Sequence, residues 1–313
     1  MALQMPWPRL EELGKNFADA RPFRHAFVDD FLDARFCQSL IDEFPGFDPR
    51  KAINETGDVG RKAVHPNIPT LGPAYRQFDA LMRDRGFLKR LSEVTGIPDL
   101  LYDPDYIGGG THENLDGQEL DMHVDFNYHP GTFQHRRLNL ILFLNPEWSE
   151  SWGGCLELCA DPWNPSGADV VRILPLANRA VLFETTERSW HGFTRIALPP
   201  GKRETSRRSL AVYFYTKIRP AEETAPSHAT VYIPRPLHAH LQAGHTLTES
   251  DMRELRNLIQ RRDDQIRFLY ERELTGDSEY TKLILSITGS VSFRLGRLLT
   301  WPARKLRPRR RQP

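Results

Sequence analysis

The sequence predicts a mainly β domain of the sandwich or jelly-roll type, flanked by helices before it and by a helical extension after it. Four runs between about residues 100 and 218 carry this reading: LDMHVDF, RRLNLILFLN, RAVLFET and RRSLAVYFYT. Each is short, rich in β-branched, Leu or aromatic residues, and bounded by Gly, Pro or Asn, and no helix-length segment separates them. Before residue 100 and after residue 247, apolar residues recur instead at helical spacing.

In chain order, FVDDFLDARFCQSLIDEF reads as a short strand followed by an amphipathic helix, with Asp33 placed to cap it and Phe36, Leu40, Ile41 and Phe44 on one stripe. PAYRQFDALMRDRGFLKRLSEVTGI continues in helical period and stops at Gly96. The β segment follows, and WGGCLELC adds a strand entered through a Gly pair. Residues 221–247 form a connector without strong periodicity. A helix then opens at Thr248 to Asp251 in capping-box fashion and carries Met252, Leu255, Ile259, Ile266 and Leu269 on one stripe, which suits a homodimer through a short coiled coil. The expected organisation is therefore 1–220, with a helical part to about 100 and a β core to about 218, then a connector at 221–247 and a basic helical extension at 248–313.

Lys and Arg total 42 against 41 Asp and Glu, so bulk charge gives no reason to expect a nucleic-acid partner. No secretory leader is evident and no run of apolar residues is long enough for a bilayer, so the expected location is cytoplasmic. Three cysteines, Cys37, Cys155 and Cys159, fit a reducing compartment and are read as ordinary half-buried residues.

QELDMHVDFNYHP places His123 and Asp125 two apart in an alternating run, so an extended strand would put both on one face. That pair alone is more often a polar rim than a metal site. A third residue changes the odds. His191, in ETTERSWHGFTRI, follows an apolar strand, and the order His-x-Asp then distal His is what a two-His, one-carboxylate facial triad looks like in sequence. Two neutral imidazoles and a carboxylate leave Fe(II) with net positive charge and open positions for a bidentate anion and dioxygen. A cation for that anion stands at the head of SRRSLAVYFYT. If Leu210, Val212 and Phe214 face the interior, Arg208 points inward with them; if the other face does, Arg207 takes that place. Arg208 is the chosen anchor for the far carboxylate of 2-oxoglutarate.

The stretches GGGTHENLDGQELDMHVDFNYHP, RRLNLILFLNPEWSESWGGCLEL, NRAVLFETTERSWHGF and RRSLAVYFYT resemble the Fe(II)- and 2-oxoglutarate-dependent dioxygenase superfamily, in its prolyl-4-hydroxylase-like branch. The likeness covers roughly residues 20 to 218. It implies a double-stranded β-helix core of jelly-roll, cupin-like form, iron held by His123, Asp125 and His191, and 2-oxoglutarate on Arg208. It further implies hydroxylation of an unactivated C–H bond with release of succinate and carbon dioxide, O2 being the other co-substrate. Halogenating relatives lack the carboxylate that Asp125 provides here, which favours hydroxylation. Many relatives carry Tyr-Leu-Asn where this chain has Phe143-Leu144-Asn145, and Asn139, on the Phe143 face, is the candidate polar substitute in cofactor binding. The glycines 108 to 110 are expected to form a flexible turn near the mouth of the site.

SVSFRLGRLLTWPARKLRPRRRQP contains eight Arg or Lys and no acid, interleaved with Phe293, Leu295, Leu298, Leu299 and Trp301, a composition suited to an anionic membrane surface. The C-terminal segment also resembles, loosely, an extension on bacterial glycosyltransferases of cell-surface polysaccharide synthesis. The implied substrate is a small molecule or a glycan or its precursor, handled at the inner face of the cytoplasmic membrane. The competing readings are a prolyl or free amino-acid hydroxylase and a non-catalytic cupin-like binding module.

Overall fold

A computed structural model describes residues 5–52, 62–164, 170–233, 237, 240–290, 292, 293 and 295. The chain divides into two compact units, Met1–Thr246 and Leu247–Pro313.

The first unit opens with helix α1 (Trp7–Phe17), strand β1 (His25–Val28) and helix α2 (Ala34–Asp42). Asp33 caps α2 as expected, its carboxylate accepting the backbone N–H groups of Arg35 and Phe36. After β2 (Ala63–His65), the long helical period predicted up to Gly96 is two helices, α3 (Pro73–Met82) and α4 (Arg85–Thr95). The break is chemical: Asp84 leaves the helix to cap α4, accepting from the Phe87 N–H at 2.9 Å, and Gly96 then ends α4 in the left-handed region at φ 69°. Strands β3 (Leu101–Tyr102), β4 (Gly110–Asn114), β5 (Leu120–Val124), β6 (His135–Phe143), β7 (Leu156–Cys159), β8 (Val170–Ile173), β9 (Ala180–Glu184), β10 (Trp190–Phe193), β11 (Arg207–Thr216) and β12 (Val231–Ile233) follow.

These strands make two antiparallel sheets. The larger runs β1-β9-β6-β11-β4-β2, with β3 also paired to β11, and the smaller runs β12-β5-β10-β7-β8. The mainly β jelly-roll class with a C-terminal helix is thus the observed one. The connector yields a strand where the sequence suggested none: β12 pairs with β5 and extends the small sheet, so residues 221–246 belong with the first unit.

The large sheet is apolar on both faces. Leu138, Leu140, Leu142, Leu182, Leu210, Val212 and Phe214 form one core with Leu10, Leu13, Phe17, Phe78, Leu81, Phe87 and Leu91 of the helices. On the opposite face Phe143, Val181 and Phe183 meet Leu156, Leu158 and Ile173 of the small sheet. Each fully buried Leu or Phe contributes about 1.5–3 kcal/mol of transfer free energy, and the two layers together hold the sheets in apposition. All three cysteines are free and buried rather than half-buried, Cys159 packing with Val124 and Trp190 outside the small sheet.

In the second unit, α5 (Glu249–Gly289) opens with the predicted capping box. The Thr248 hydroxyl and N–H donate to the Asp251 carboxylate at 2.8 Å, and the Asp251 N–H donates back to the Thr248 hydroxyl at 3.2 Å. Met252, Ile259, Ile266 and Leu269 lie exposed along it. Among the described residues no helix is long and apolar enough to cross a membrane. The basic tail from residue 296 onward, with Leu298, Leu299 and Trp301, lies outside the described residues.

Candidate active site

The small sheet brings the candidate metal ligands together. His123 on β5 and His191 on β10 are direct partners in the antiparallel register, so their imidazoles project from the same face, with ring centroids 4.2 Å apart. Only glycine fits beside His191, because a Cβ on Gly192 would stand 2.6 Å from the Leu120 carbonyl oxygen of the neighbouring strand. Asp125, just past the end of β5, brings its carboxylate to 3.8 Å from His123 Nε2 and 3.5 Å from His191 Nε2. The ligand atoms of all three residues lie within 4.8 Å of one another.

Backbone carbonyls select the tautomer. His123 Nδ1 donates to the Asp121 carbonyl at 2.9 Å and His191 Nδ1 to the Ser189 carbonyl at 3.0 Å, which leaves both Nε2 lone pairs directed at Asp125. Burial and the neighbouring imidazole depress the His123 pKa to about 3, and burial lowers that of His191, so both rings are neutral at pH 7. For Asp125, burial pushes the pKa up, but the Arg136 guanidinium and the two imidazoles outweigh it and hold the carboxyl below its usual range. The cluster therefore presents two neutral nitrogen donors and one anion, the protonation state a ferrous ion needs.

Arg136 and Asn139, both on β6, orient that anion. Asp125 Oδ2 accepts from Arg136 Nη2 at 2.9 Å and from Asn139 Nδ2 at 3.0 Å, while Arg136 Nη2 also donates to Asn139 Oδ1 at 3.0 Å. Asn139 shares the Phe143 face, as the sequence indicated, and its amide is hydrogen-bonded to the Asp125 carboxylate. Arg136, with only 1% of its surface exposed, lies between the rings of Tyr213 and Phe126, its guanidinium carbon 3.5 and 4.6 Å from the two centroids. Loss of such an orienting hydrogen bond weakens metal sites by about 10- to 100-fold. Asn139→Ala is expected to lower ferrous-ion affinity within that range, which equilibrium titration with Fe(II) measures; unchanged affinity would remove Asn139 from this role.

The strand phase at β11 is the reverse of the one chosen from sequence. Leu210, Val212 and Phe214 face the helices, and Arg208 goes with them: it stacks on Phe44 and pairs through Nε with Glu113 Oε1 at 3.2 Å and with the Ser206 hydroxyl at 2.9 Å. Arg207 takes the inner face with Ala211 and Tyr213. It is buried, its guanidinium carbon 4.2 Å from the Phe193 ring centroid and 5.1 Å from that of Phe143, and its Nε donates to the Gly154 carbonyl at 2.6 Å. Among the described residues no carboxylate pairs with it. Burial lowers its pKa to about 9, because desolvation disfavours the charged form. A dicarboxylate between this cation and the triad fits the donor set.

Four more residues complete the walls. Gly108, at φ 76°, offers its carbonyl to the Tyr213 hydroxyl at 2.8 Å and to His112 Nε2 at 3.2 Å, which ties the glycine turn to the site. Tyr232 of β12, opposite His123 in register, stacks on that ring with centroids 5.1 Å apart and is 40% exposed. Lys62, at the entry to β2, acts electrostatically on Asp125, Arg136 and Arg207. Tyr232 and Lys62 lie in segments without periodicity, and no sequence signal marked them.

The family model for the 2OG-Fe(II) oxygenase superfamily matches residues 110–215, the stretch that holds all three candidate ligands and both arginines. The chain is 30% identical over 227 residues to a curated mouse (Mus musculus) protein, prolyl 3-hydroxylase OGFOD1; the match covers 70% of this chain and 37% of that protein, so the chain spans little more than a third of its relative's length. Among solved structures it is similar to a Pseudomonas putida prolyl-4-hydroxylase, at 17% identity and a TM-score of 0.45 over 69% of this chain and 97% of that one. It is also similar to a prolyl 4-hydroxylase from Phytophthora capsici, at 17% identity and a TM-score of 0.47 over 83% and 76% of the two chains. Residues 110–215, which contain His123, Asp125 and His191, are similar to the 2OG-Fe(II) oxygenase superfamily.

Proposed function

We propose that this chain is an Fe(II)- and 2-oxoglutarate-dependent dioxygenase that hydroxylates an unactivated C–H bond of a small-molecule or peptide substrate. The observation that carries the reading is the convergence of His123, Asp125 and His191, tautomers already set, together with a buried Arg207 that no carboxylate among the described residues pairs with. In this reading His123 and His191 bind the metal through Nε2 and Asp125 through its carboxylate. Arg136 and Asn139 hold that carboxylate from behind, and Arg207 grips the distal carboxylate of 2-oxoglutarate with its planar fork. Phe126, Phe143 and Tyr213 shield the centre from water. Bound there, iron with 2-oxoglutarate and dioxygen supplies the oxidising power, with succinate and carbon dioxide as co-products.

The test is an anaerobic titration of the purified chain with Fe(II) and then 2-oxoglutarate. A weak visible charge-transfer band is expected on addition of the second component. Its absence would favour the non-catalytic cupin-like module instead. Prolyl hydroxylation is the second reading, supported by the 30% identity to a prolyl 3-hydroxylase. Release of succinate driven by a proline-containing peptide would separate it from hydroxylation of a sugar or a free amino acid. A glycan substrate, attachment of the basic tail to an anionic membrane, and pairing of two copies along α5 rest on the sequence alone.

A further inference from the structure

β2 carries a cation into the site that neither the metal ligands nor the co-substrate accounts for. Across the ladder Ala63 is opposite Glu113 and Val64 opposite His112, while on the other side of β4 Glu113 is opposite Arg208 and Asn114 opposite Arg207. Directly opposite residues share a face. Ala63, Glu113 and Arg208 are therefore on the outer face. By alternation Lys62 falls on the inner one, with Asn114 and Arg207. Its side chain is half-buried there, and its charge is felt by Asp125, His112, His123 and His191.

No acidic side chain among the described residues is free to neutralise it. Asp125 is the one carboxylate that Lys62 feels, and that group is already held by Arg136 and Asn139 and is needed by the metal. Glu113, the nearest acid along the ladder, points the other way to Arg208 and Ser206. Lys62 is also repelled by Arg136 and Arg207. With the cofactors in place, the positive charges among the described residues and cofactors are the ferrous ion, Arg136, Arg207 and Lys62, and the negative ones are Asp125 and the 2-oxoglutarate dianion. Positive charge remains in excess in a site largely shut off from water, where Coulomb terms are weakly screened. An anion is the complement that relieves it.

We propose that Lys62 is a specificity-determining residue that binds an oxyanion of the substrate, a carboxylate or a phosphate-like group, and so places the substrate's C–H bonds beside the metal. The inference rests on the oxygenase reading and narrows its substrate class to anionic molecules. Tyr232, stacked on His123 and exposed on its other side, supplies the flat apolar wall along which the carbon portion would lie.

The experiment uses the full chain loaded anaerobically with Fe(II) and 2-oxoglutarate, and reads the visible band. Failure of the unmodified protein to form the band at all counts against the oxygenase reading itself, independently of any response to added anions. Inorganic sulfate and acetate are then titrated in separate arms, which distinguish a tetrahedral from a planar oxyanion. A saturable shift of the band is expected with at least one of them. Its half-saturation should rise about tenfold or more in Lys62→Ala, the loss expected for one charge-assisted hydrogen bond, and stay near the original in Lys62→Arg. The 2-oxoglutarate half-saturation should be the same in all three proteins. The proposal is overturned by the absence of any saturable response in the unmodified protein, by an equal response in Lys62→Ala, or by a raised 2-oxoglutarate requirement in Lys62→Ala, which would place the lysine on the co-substrate.

Discussion

Asp125→Ala is expected to lose substrate-dependent succinate release, to below about a hundredth of the original rate, because it removes the only anion of the metal-ligand set. It should also unfold more readily. Arg136 is almost wholly buried, and Asp125 is its one anionic partner within salt-bridge distance among the described residues. Deleting one member of a buried ion pair leaves the other desolvated and uncompensated, a cost of about 3–5 kcal/mol. The two effects can be separated. Asp125→Asn keeps the volume and an oxygen that accepts from Arg136, so its urea midpoint should fall less than that of Asp125→Ala, while its Fe(II) affinity still drops because a neutral amide is a poor ligand for a hard cation. Metal titration and urea unfolding of both variants check this. Undiminished succinate release in either would exclude Asp125 from the metal site.

The convergence of the candidate ligands was legible because His123 and Asp125 sit two apart on a simple period and His191 follows them in the order of a facial triad. Alternation put His123 and Asp125 on one face of a strand whose other face carries Met122 and Val124, and the outer residues do pack with Trp190 and Val231. The β core was legible for the same reason, as short apolar strands between Gly, Pro and Asn. What periodicity alone missed was a set of features that depend on a neighbour distant in sequence. Strand β11 is buried almost throughout, so Leu210, Val212 and Phe214 on one face and Ala211, Tyr213 and Tyr215 on the other are both apolar and alternation has no preferred phase. The deciding partner of Arg208 is Glu113, almost a hundred residues earlier on β4. The donation from Asn139 to Asp125 and the fold-back of the connector as β12 are of the same kind, whereas the break at Asp84 is a local cap on Phe87 hidden inside a continuous apolar period. Each is a side-chain or edge-strand partnership that periodicity does not encode.

Arg207→Ala is expected to raise the 2-oxoglutarate half-saturation by about 30-fold or more, the equivalent of roughly 2 kcal/mol or above for removing one partner of a buried charge-assisted pair. Arg208→Ala should change it by less than about threefold, because its pairing with Glu113 is partly solvent-exposed, on the opposite face of the strand, and worth little. The pair of variants tests the strand phase directly: a large effect from Arg208 with none from Arg207 would return the anchor to the residue that sequence alone favoured. A stability measurement gives an independent sign. In the absence of co-substrate Arg207 is a buried cation whose charged form is disfavoured by desolvation, with the Phe143 and Phe193 rings and the Gly154 carbonyl against it. Arg207→Met, which keeps most of the volume and removes the charge, is therefore expected to melt at or above the temperature of the unmodified apo protein. Addition of 2-oxoglutarate with Fe(II) should raise the melting temperature of the original chain through mass action on the folded state and leave that of Arg207→Met nearly unmoved. If the variant is stabilised by 2-oxoglutarate as strongly as the original, the buried guanidinium is not where the keto acid is held.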